Sequence, residues 1–274
     1  MKMKIKFLSL TVLTLIGTGF FQLHAQYEGF HDKNLTYTGP ETGDEIQYEL
    51  YLPPGYSEDK GPYPLIIQLH GGGGNTQSNG WIPSYEIARN AGRIDDYIVV
   101  FPYGYAGTMW EDDIKDGKKP ETNVILELLP YLEEKYPLYD HRDKRVISGF
   151  SMGAHGTMTW AAKYYDLFSV FIVMDVGDMT VDTTKNLRRK IEVVGENADL
   201  FRDKVALRFI STSGNPVTFL SELDSMNIAY SFEKGSCTTH SVACVCGDDH
   251  GQNTWVFIQK HIGSDPPGVR HPLP

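Results

Sequence analysis

Short apolar runs alternate along the chain with segments of helical periodicity. Four of these runs are almost continuously apolar, which is typical of strands that are buried on both faces of a parallel sheet. They cover residues 65–69, 97–101, 145–148 and 169–174. Residues 205–210 predict a further strand, so the centre of the chain is rich in strands of this kind.

Amphipathic segments complete the pattern. Residues 45–52 and 228–232 alternate between apolar and polar positions, as edge or half-exposed strands do. Apolar side chains at helical spacing follow Thr122, a preferred N-cap residue. Further helices are predicted at residues 84–92, 186–194, 216–226 and 253–262. Strands that alternate with helices predict an α/β fold, with a mainly parallel central sheet and helices on both faces.

The sequence Gly149-Phe150-Ser151-Met152-Gly153 follows one of the buried strands and precedes a predicted helix. A serine on so sharp a turn adopts a strained backbone, and glycine is needed two residues away on either side because a side chain there would collide with the crossing elements. The turn holds the hydroxyl over a helix N-terminus, where developing negative charge is favourable. Ser151 is therefore the candidate nucleophile. The alternative is an ordinary strand-to-helix turn with a serine N-cap.

Four consecutive glycines, residues 71–74, come directly after the strand at 65–69 and His70. Such a run is expected where backbone N–H groups must approach another group closely. A loop of this kind supplies one N–H group of an oxyanion hole, and the residue after the nucleophile supplies the other. We expect Gly72, or a neighbouring glycine, and Met152 in these roles. No Gly-Lys-Ser/Thr sequence follows, which excludes a phosphate-binding P-loop.

The first 25 residues have the organisation of a secretory signal peptide. A basic start precedes an apolar run from Phe7 to Phe21, and Ala25 stands at a plausible cleavage position. The apolar run is too short to span a bilayer comfortably. We expect a cleaved signal peptide at residues 1–25, a single domain at residues 26–274, and a periplasmic or secreted protein without a membrane anchor.

Charge and cysteine content narrow the possible partners. The net charge of −10 argues against binding to nucleic acid or to an anionic membrane surface. In an oxidising compartment, Cys237 is expected to pair with Cys244 or Cys246. The alternative is a zinc site that combines the three cysteines with His240 and His250, although their spacing matches no standard zinc finger.

Together these segments resemble the α/β-hydrolase fold. More narrowly, they resemble the esterase family that includes feruloyl and acetyl-xylan esterases, S-formylglutathione hydrolase and the mycolyltransferases. The resemblance runs from about Glu45 to Ile262, closely in the first half and loosely in the second. The matching segments are residues 51–56 (YLPPGY), 64–73 (PLIIQLHGGG), 101–104 (FPYG), 149–153 (GFSMG), and His250 with Trp255.

The resemblance implies a triad of serine, acid and histidine in that chain order. Two late histidines, His240 and His250, are candidates for the base. Because the family places the base between the last strand and the last helix, we expect His250, which directly precedes the helix predicted at 253–262. Either histidine could instead be an ordinary solvated loop residue.

The acid of the predicted triad has several candidates. The family expects it shortly after the strand at 205–210, where this chain has Asn215. An asparagine can orient a histidine, but it stabilises the imidazolium less well than a carboxylate. The alternatives are Asp178 after the preceding strand, Asp199 if residues 191–195 were the strand instead, and Asp248 or Asp249 beside His250.

The function implied by the resemblance is that of a serine carboxylic-ester hydrolase that forms an acyl-enzyme and needs no cofactor. Its substrates would be small-molecule or polysaccharide esters, carbohydrate-linked acyl or feruloyl-type by family likeness. Trp110 and residues 103–105 could form an aromatic wall beside Ser151, or could pack in an ordinary way. Two alternatives stay open: an acyltransferase on the same scaffold, and a degenerate esterase that only binds, which Asn215 would explain.

Overall fold

The computed structural model describes residues 27–112, 116–179 and 190–262, so the predicted signal peptide lies outside the described residues. Within these ranges, eight strands form one sheet of order β1-β2-β4-β3-β5-β6-β7-β8. Strands β3 to β8 are parallel, whereas β2 pairs antiparallel with β1 and β4. The strands are β1 (Phe30–Thr38), β2 (Glu45–Leu52), β3 (Leu65–Leu69), β4 (Ile98–Pro102), β5 (Arg145–Phe150), β6 (Val170–Met174), β7 (Ala206–Ser211) and β8 (Ser231–Lys234).

Helices cover both faces of the sheet, as the alternating pattern predicts. A π-helical stretch, Asn123–Leu128, joins α2 to α3, and no helix among the described residues is long and apolar enough to cross a membrane. The helices are α1 (Ser78–Asn90), α2 (Pro120–Thr122), α3 (Leu129–Lys135), α4 (Met152–Lys163), α5 (Lys190–Glu196), α6 (Ala198–Lys204), α7 (Val217–Ser225), α8 (Val242–Val245) and α9 (Asp248–His261).

Alternate side chains of the central strands enter two separate cores. In β3, Leu65, Ile67 and Leu69 pack with residues of α3 and α4, whereas Ile66 packs on the opposite face with residues of α1 and α9. All four side chains are fully or almost fully buried. Because both faces of the sheet are covered, these strands need an apolar side chain at nearly every position, which explains their continuous apolar runs.

Several element boundaries differ from the sequence-based prediction. Helix α9 begins at Asp248 rather than at residue 253, because Asp248 and Asp249 place two acidic side chains in its first turn, where the helix dipole favours them. Residues 191–195 belong to helix α5 and not to a strand. Strand β1 and helices α6 and α8 were not predicted, and the predicted helix at 186–194 falls partly outside the described residues.

Two glycines allow β5, α4 and β3 to approach each other at the turn that carries Ser151. A Cβ atom on Gly149 would overlap the carbonyl group of Gly153, and a Cβ atom on Gly153 would overlap the carbonyl group of Leu69 at the end of β3. Neither clash can be relieved by a side-chain rotation, since the obstructing atoms belong to the backbone. The sequence-based explanation for these two glycines is therefore confirmed.

The substitution Gly153→Ala should destabilise the fold by at least about 2 kcal/mol, because the added methyl group can be accommodated only by moving α4 away from β3. Urea unfolding measures this effect. Gly177→Ala is the matched control, since a Cβ atom there meets no atom within 4 Å, and we expect its stability to change by less than about 0.5 kcal/mol. Equal stabilities for the two variants would contradict the close crossing.

Candidate active site

Ser151 lies between the end of β5 and the start of α4 with φ 56° and ψ −110°. This left-handed conformation is unusual for a residue other than glycine, and strain of this kind is concentrated at functional sites. The Ser151 N–H group donates a hydrogen bond to the carbonyl oxygen of Met174 at the end of β6 (2.9 Å). The turn therefore has the strained strand-to-helix geometry that the sequence predicts.

The histidine beside Ser151 is His240, which lies in the irregular segment between β8 and α8. Its Nε2 atom is 2.9 Å from the hydroxyl oxygen of Ser151, and its Nδ1 atom is 2.7 Å from Oδ2 of Asp175. Because an ionised carboxylate can only accept, Nδ1 carries the proton and Nε2 is free to accept from the Ser151 hydroxyl. The imidazole ring also faces the ring of Phe150, with centroids 4.6 Å apart.

The expectation that His250 contacts Ser151 is corrected by this geometry. His250 lies in the first turn of α9, where it is 5% exposed, and its Nε2 atom is 3.0 Å from the carbonyl oxygen of Cys244. The error follows from the position of the helix start. Since α9 begins five residues earlier than predicted, His250 is packed inside that helix. The loop histidine is His240, which lies before α8.

Asp175 is the carboxylate that contacts this histidine, and it directly follows β6. Its side chain is buried, and its Oδ1 atom accepts hydrogen bonds from the N–H groups of Thr212 (2.7 Å) and Gly214 (2.8 Å). Its Oδ2 atom accepts from His240 and from the hydroxyl of Ser213 (2.8 Å). Burial alone would raise the pKa of Asp175, but these four donors outweigh it and lower the pKa to about 2.

None of the three residues considered most closely for the acid contacts His240. Asn215 is exposed and lies just beyond residues 212–214, which donate hydrogen bonds to the Asp175 carboxylate. Asp178 follows β6, as Asp175 does, but lies three residues further along the chain. The side chain of Asp199, on α6, is 91% exposed and pairs with Arg202. Asp175 was missed although it is the first residue after a predicted strand, a position that could have identified it.

The glycine loop, residues 71–74, lies against the Ser151 turn. A Cβ atom on Gly71 would lie 3.4 Å from Cβ of Ser151, so the loop and the Ser151 turn are in contact distance of each other. The Gly71 N–H group donates to Oε1 of Gln77 (3.2 Å), which fixes the loop from its other side. Met152 is the first residue of α4, and a helix leaves the N–H groups of its first turn without an intrahelical acceptor.

The buried ring of His70 connects the glycine loop to the segment that contains Gly104. Its Nδ1 atom is 2.7 Å from the carbonyl oxygen of Gly71, and its Nε2 atom accepts a hydrogen bond from the N–H group of Gly104 (2.9 Å). Burial lowers the pKa of His70, which favours the neutral ring that these two contacts require. Trp110, fully buried, donates from its indole to the carbonyl oxygen of His70 (3.0 Å). Trp110 is therefore a packing residue and not part of an exposed aromatic wall.

Most of the chain matches one protein family. A family model described as "Putative esterase" matches residues 39–244, which is most of the chain. The chain belongs to this esterase family. It is 31% identical over 123 residues to Esterase Rv1288 of Mycobacterium tuberculosis, a match that covers 44% of this chain and 26% of that protein. The chain thus spans about a quarter of the length of the curated relatives that it matches.

Solved structures confirm the α/β-hydrolase fold for this esterase-family chain. A ferulic acid esterase superposes with a TM-score of 0.73 at 18% identity, covering 86% of this chain and 100% of the other. A ferulic acid esterase from Anaeromyces mucronatus, in complex with ferulic acid, gives 0.67 at 20% identity over 88% and 93% of the two chains. An S-formylglutathione hydrolase from Staphylococcus aureus gives 0.64 at 18% identity over 84% and 98%.

The late cysteines of this esterase-family chain form a disulfide. Cys237 is bonded to Cys244, one of the two predicted pairings, and Cys246 is free and buried. Among the described residues, no group of three or more His, Cys, Asp or Glu side chains is arranged to hold a metal ion. The zinc alternative therefore finds no support in this part of the chain.

The ionised Asp175 should make the stability of the folded state depend on pH at the acid end. Its pKa is lowered from an ordinary value of 3.8 to about 2, so the stabilisation it provides is complete above about pH 5 and is lost as the pH falls toward 2. We expect the difference in unfolding free energy between the wild type and Asp175→Asn to be constant from pH 7 to 5 and to narrow by roughly 2 kcal/mol at lower pH.

Urea unfolding at a series of pH values measures this difference. Asn215→Ala is the matched control, because it changes a neighbouring exposed residue without removing an ionisable group, and its stability should follow that of the wild type at each pH. A difference between the wild type and Asp175→Asn that stayed constant down to pH 2 would contradict the hydrogen-bonded, ionised state of Asp175.

Proposed function

We propose that this protein is a serine carboxylic-ester hydrolase in which Ser151, His240 and Asp175 act as the catalytic triad. The observation that carries this proposal is the continuous chain of contacts from the Ser151 hydroxyl through the His240 imidazole to the Asp175 carboxylate. The membership in an esterase family supports the same reaction class.

The arrangement can perform acyl transfer in two steps. The Ser151 oxygen attacks the ester carbonyl carbon while His240 Nε2 takes the hydroxyl proton, and the resulting imidazolium is stabilised by Asp175. The tetrahedral intermediate then expels the alcohol, which receives that proton from His240. Water attacks the acyl-enzyme in the second step, again with His240 as the base, and the acid is released from Ser151.

Negative charge that develops on the carbonyl oxygen needs donors at the mouth of the site. We assign this role to the N–H groups of Met152 and Gly72, each worth roughly 10²–10³ in rate in comparable enzymes. The approach of the glycine loop to Ser151 supports this assignment. The bond from His70 to the Gly71 carbonyl supports it further, because that carbonyl and the Gly72 N–H group belong to one planar peptide.

The binding-module alternative depended on an asparagine in place of the acid. Asp175 supplies the carboxylate from a different strand, so the feature that favoured a degenerate esterase does not apply. Hydrolysis and transfer to another alcohol share the acyl-enzyme, and we propose hydrolysis because the half-exposed His240 leaves the base open to water.

For the substrate we propose a carbohydrate-linked acyl or feruloyl-type ester. Two of the similar structures are described as ferulic acid esterases, one of them in complex with ferulic acid. In this chain Tyr105 is 38% exposed, on a segment that packs against the glycine loop through Ala106 and Gly74. An exposed aromatic side chain in that position is suited to stack on an aromatic acyl group.

We also propose that the protein is exported, with a signal peptide cleaved after Ala25. The Cys237–Cys244 disulfide supports this proposal, because disulfides persist in oxidising compartments and are rare in the cytosol. Mass spectrometry of the protein recovered outside the cytoplasm should find Gln26 at the N-terminus, whereas an intact leader there would refute the cleavage.

Ser151→Ala and His240→Ala should each lower kcat for p-nitrophenyl acetate by about 10⁴ to 10⁶, since each removes a member of a unit that acts together. His250→Gln is the matched control, because glutamine can still donate to the Cys244 carbonyl, and its kcat should stay within a few-fold of the wild type. Steady-state turnover and the rate of Ser151 labelling by a fluorophosphonate measure these effects.

The acid is tested in the same assay. Asp175→Asn should lose about 10⁴ in kcat, whereas Asn215→Ala, Asp178→Asn and Asp199→Asn should keep most of it. Turnover that survived in Ser151→Ala would refute the proposed function. Turnover that was lost in His250→Gln but kept in His240→Ala would refute the assignment of the base.

The aromatic preference predicts a higher kcat/KM for a feruloyl ester than for the acetyl ester of the same alcohol, by about tenfold. Tyr105→Ala should reduce this ratio, while Phe30→Ala, which changes an exposed aromatic residue on the distant strand β1, should leave it unchanged.

Chromatography of the products in the presence of a competing sugar separates hydrolysis from transfer. Free acid as the main product is expected, and a sugar ester as the main product would favour the transferase.

A further inference from the structure

The base of the proposed triad lies in a segment with little packing of its own. We call residues 235–241, between β8 and α8, the base loop. Residues 238–240 are exposed, and the loop contains no regular secondary structure. Exposed segments with few apolar contacts open locally at low free energy. Something besides hydrophobic packing must therefore keep the His240 ring within hydrogen-bond distance of Ser151.

The contacts of the base loop with the rest of the protein are mostly polar. Its first two residues are held by the bond from the Gly235 N–H group to the Ser211 carbonyl oxygen (2.7 Å), by close packing of Gly235 on the His250 ring, and by the bond from the Ser236 hydroxyl to Asp248 (3.3 Å).

The part that carries His240 has fewer contacts. The Thr212 hydroxyl donates to the carbonyl oxygen of Thr239 (3.2 Å), and the His240 side chain contacts Asp175, Ser213 and Ser151. Apart from the ring of Phe150, these are hydrogen bonds at a half-exposed position, where water competes for the same donors and acceptors.

A covalent bond crosses this loop. Cys237, three residues before His240, is bonded to Cys244, four residues after it, with 5.8 Å between their Cα atoms. Cys244 belongs to α8, whose neighbouring side chains Val242 and Val245 are buried in the core that contains α1 and α9. The disulfide therefore ties the exposed half of the base loop to a packed helix.

Cys244 is itself held on two sides. Its N–H group donates to the hydroxyl oxygen of Ser241, the N-cap residue of α8 (3.3 Å), and its carbonyl oxygen lies 3.0 Å from Nε2 of His250. The histidine that does not reach the nucleophile thus helps to fix the residue to which the loop is bonded. These contacts hold Cys244 on α8, whereas Cys237 lies in the irregular base loop.

We propose that the Cys237–Cys244 disulfide positions the catalytic base, so that reducing it releases the base loop and lowers kcat. The inference rests on the proposed function, because it assigns a role in that same triad. The two cysteines act through His240 and touch neither the substrate nor the reacting atoms. The site would then be active when the disulfide is formed, as in an oxidising compartment, and weakly active when it is reduced.

The switch needs an external dithiol as the reductant. One thiolate of the dithiol attacks a sulfur of the disulfide, a mixed disulfide forms, and the second thiol displaces it. Two electrons pass to the protein, which gains two thiols, while the dithiol becomes a cyclic disulfide. Burial raises the pKa of the free Cys246 thiol to about 12, so Cys246 is a poor nucleophile for exchange and the original pair re-forms on oxidation.

The test compares oxidised and dithiothreitol-reduced protein with p-nitrophenyl acetate, in conditions where near-ultraviolet circular dichroism finds both folded. We expect reduction to lower kcat at least tenfold with little change in KM, to slow fluorophosphonate labelling of Ser151 in parallel, and to be reversed by reoxidation. The variant Cys237→Ser/Cys244→Ser should have the low kcat of the reduced protein and no response to dithiothreitol. Cys246→Ala should keep the full response of the wild type.

The outcomes separate the two proposals. A reduced protein that kept its kcat within twofold, while Ser151→Ala and His240→Ala were inactive, would overturn the role of the disulfide and leave the esterase standing. The same holds if reduction lowered only the unfolding temperature. Turnover that persisted in Ser151→Ala would instead overturn the proposed function, whatever dithiothreitol did.

Discussion

The buried carboxylate of Asp175 is the group on which the geometry of the candidate site depends. Three structural units meet at it: the end of β6, which carries it, residues 212–214 after β7, which donate to it, and the base loop, which presents His240 to it. A buried carboxylate without these donors would be unstable as an anion. The hydrogen bonds that keep Asp175 ionised therefore also hold residues 212–214 and the base loop against the end of β6, beside Ser151.

The parallel sheet explains why these units converge. Strands β5, β6 and β7 are adjacent and parallel, so their carboxyl ends lie along one edge, and the residue that follows each strand enters the same space. Ser151 follows β5, Asp175 follows β6 and Thr212 follows β7. Both Ser151 (φ 56°) and Asp175 (φ 49°) have left-handed backbones, since each chain must turn sharply at that edge. Such conformations are retained because the packed strands on either side determine them.

The sequence was sufficient for the central strands, the Ser151 turn and the glycine loop, because each has a local pattern: continuous apolar runs, or glycines at fixed spacing. It was not sufficient for His240 and Asp175. The choice of His250 depended on where α9 begins, and a shift of five residues moved that histidine from a loop into a packed turn. The acid was sought in residues after β7, whereas those residues supply N–H donors, which any amino acid except proline can do and no sequence pattern marks.

Backbone N–H groups serve two anions in this site, one permanent and one transient. Thr212 and Gly214 donate to Asp175 in the resting protein, and Met152 and Gly72 are the donors that we propose for the oxyanion of the intermediate. During acyl transfer the His240 imidazolium would lie between these two negative charges, so that charges alternate in sign across the site. A substitution cannot remove a peptide N–H group unless it introduces proline. The features on which these N–H groups depend are therefore the ones that aim them, namely the glycines and the neutral ring of His70, while the covalent tie of the base loop holds the imidazole between the two anions.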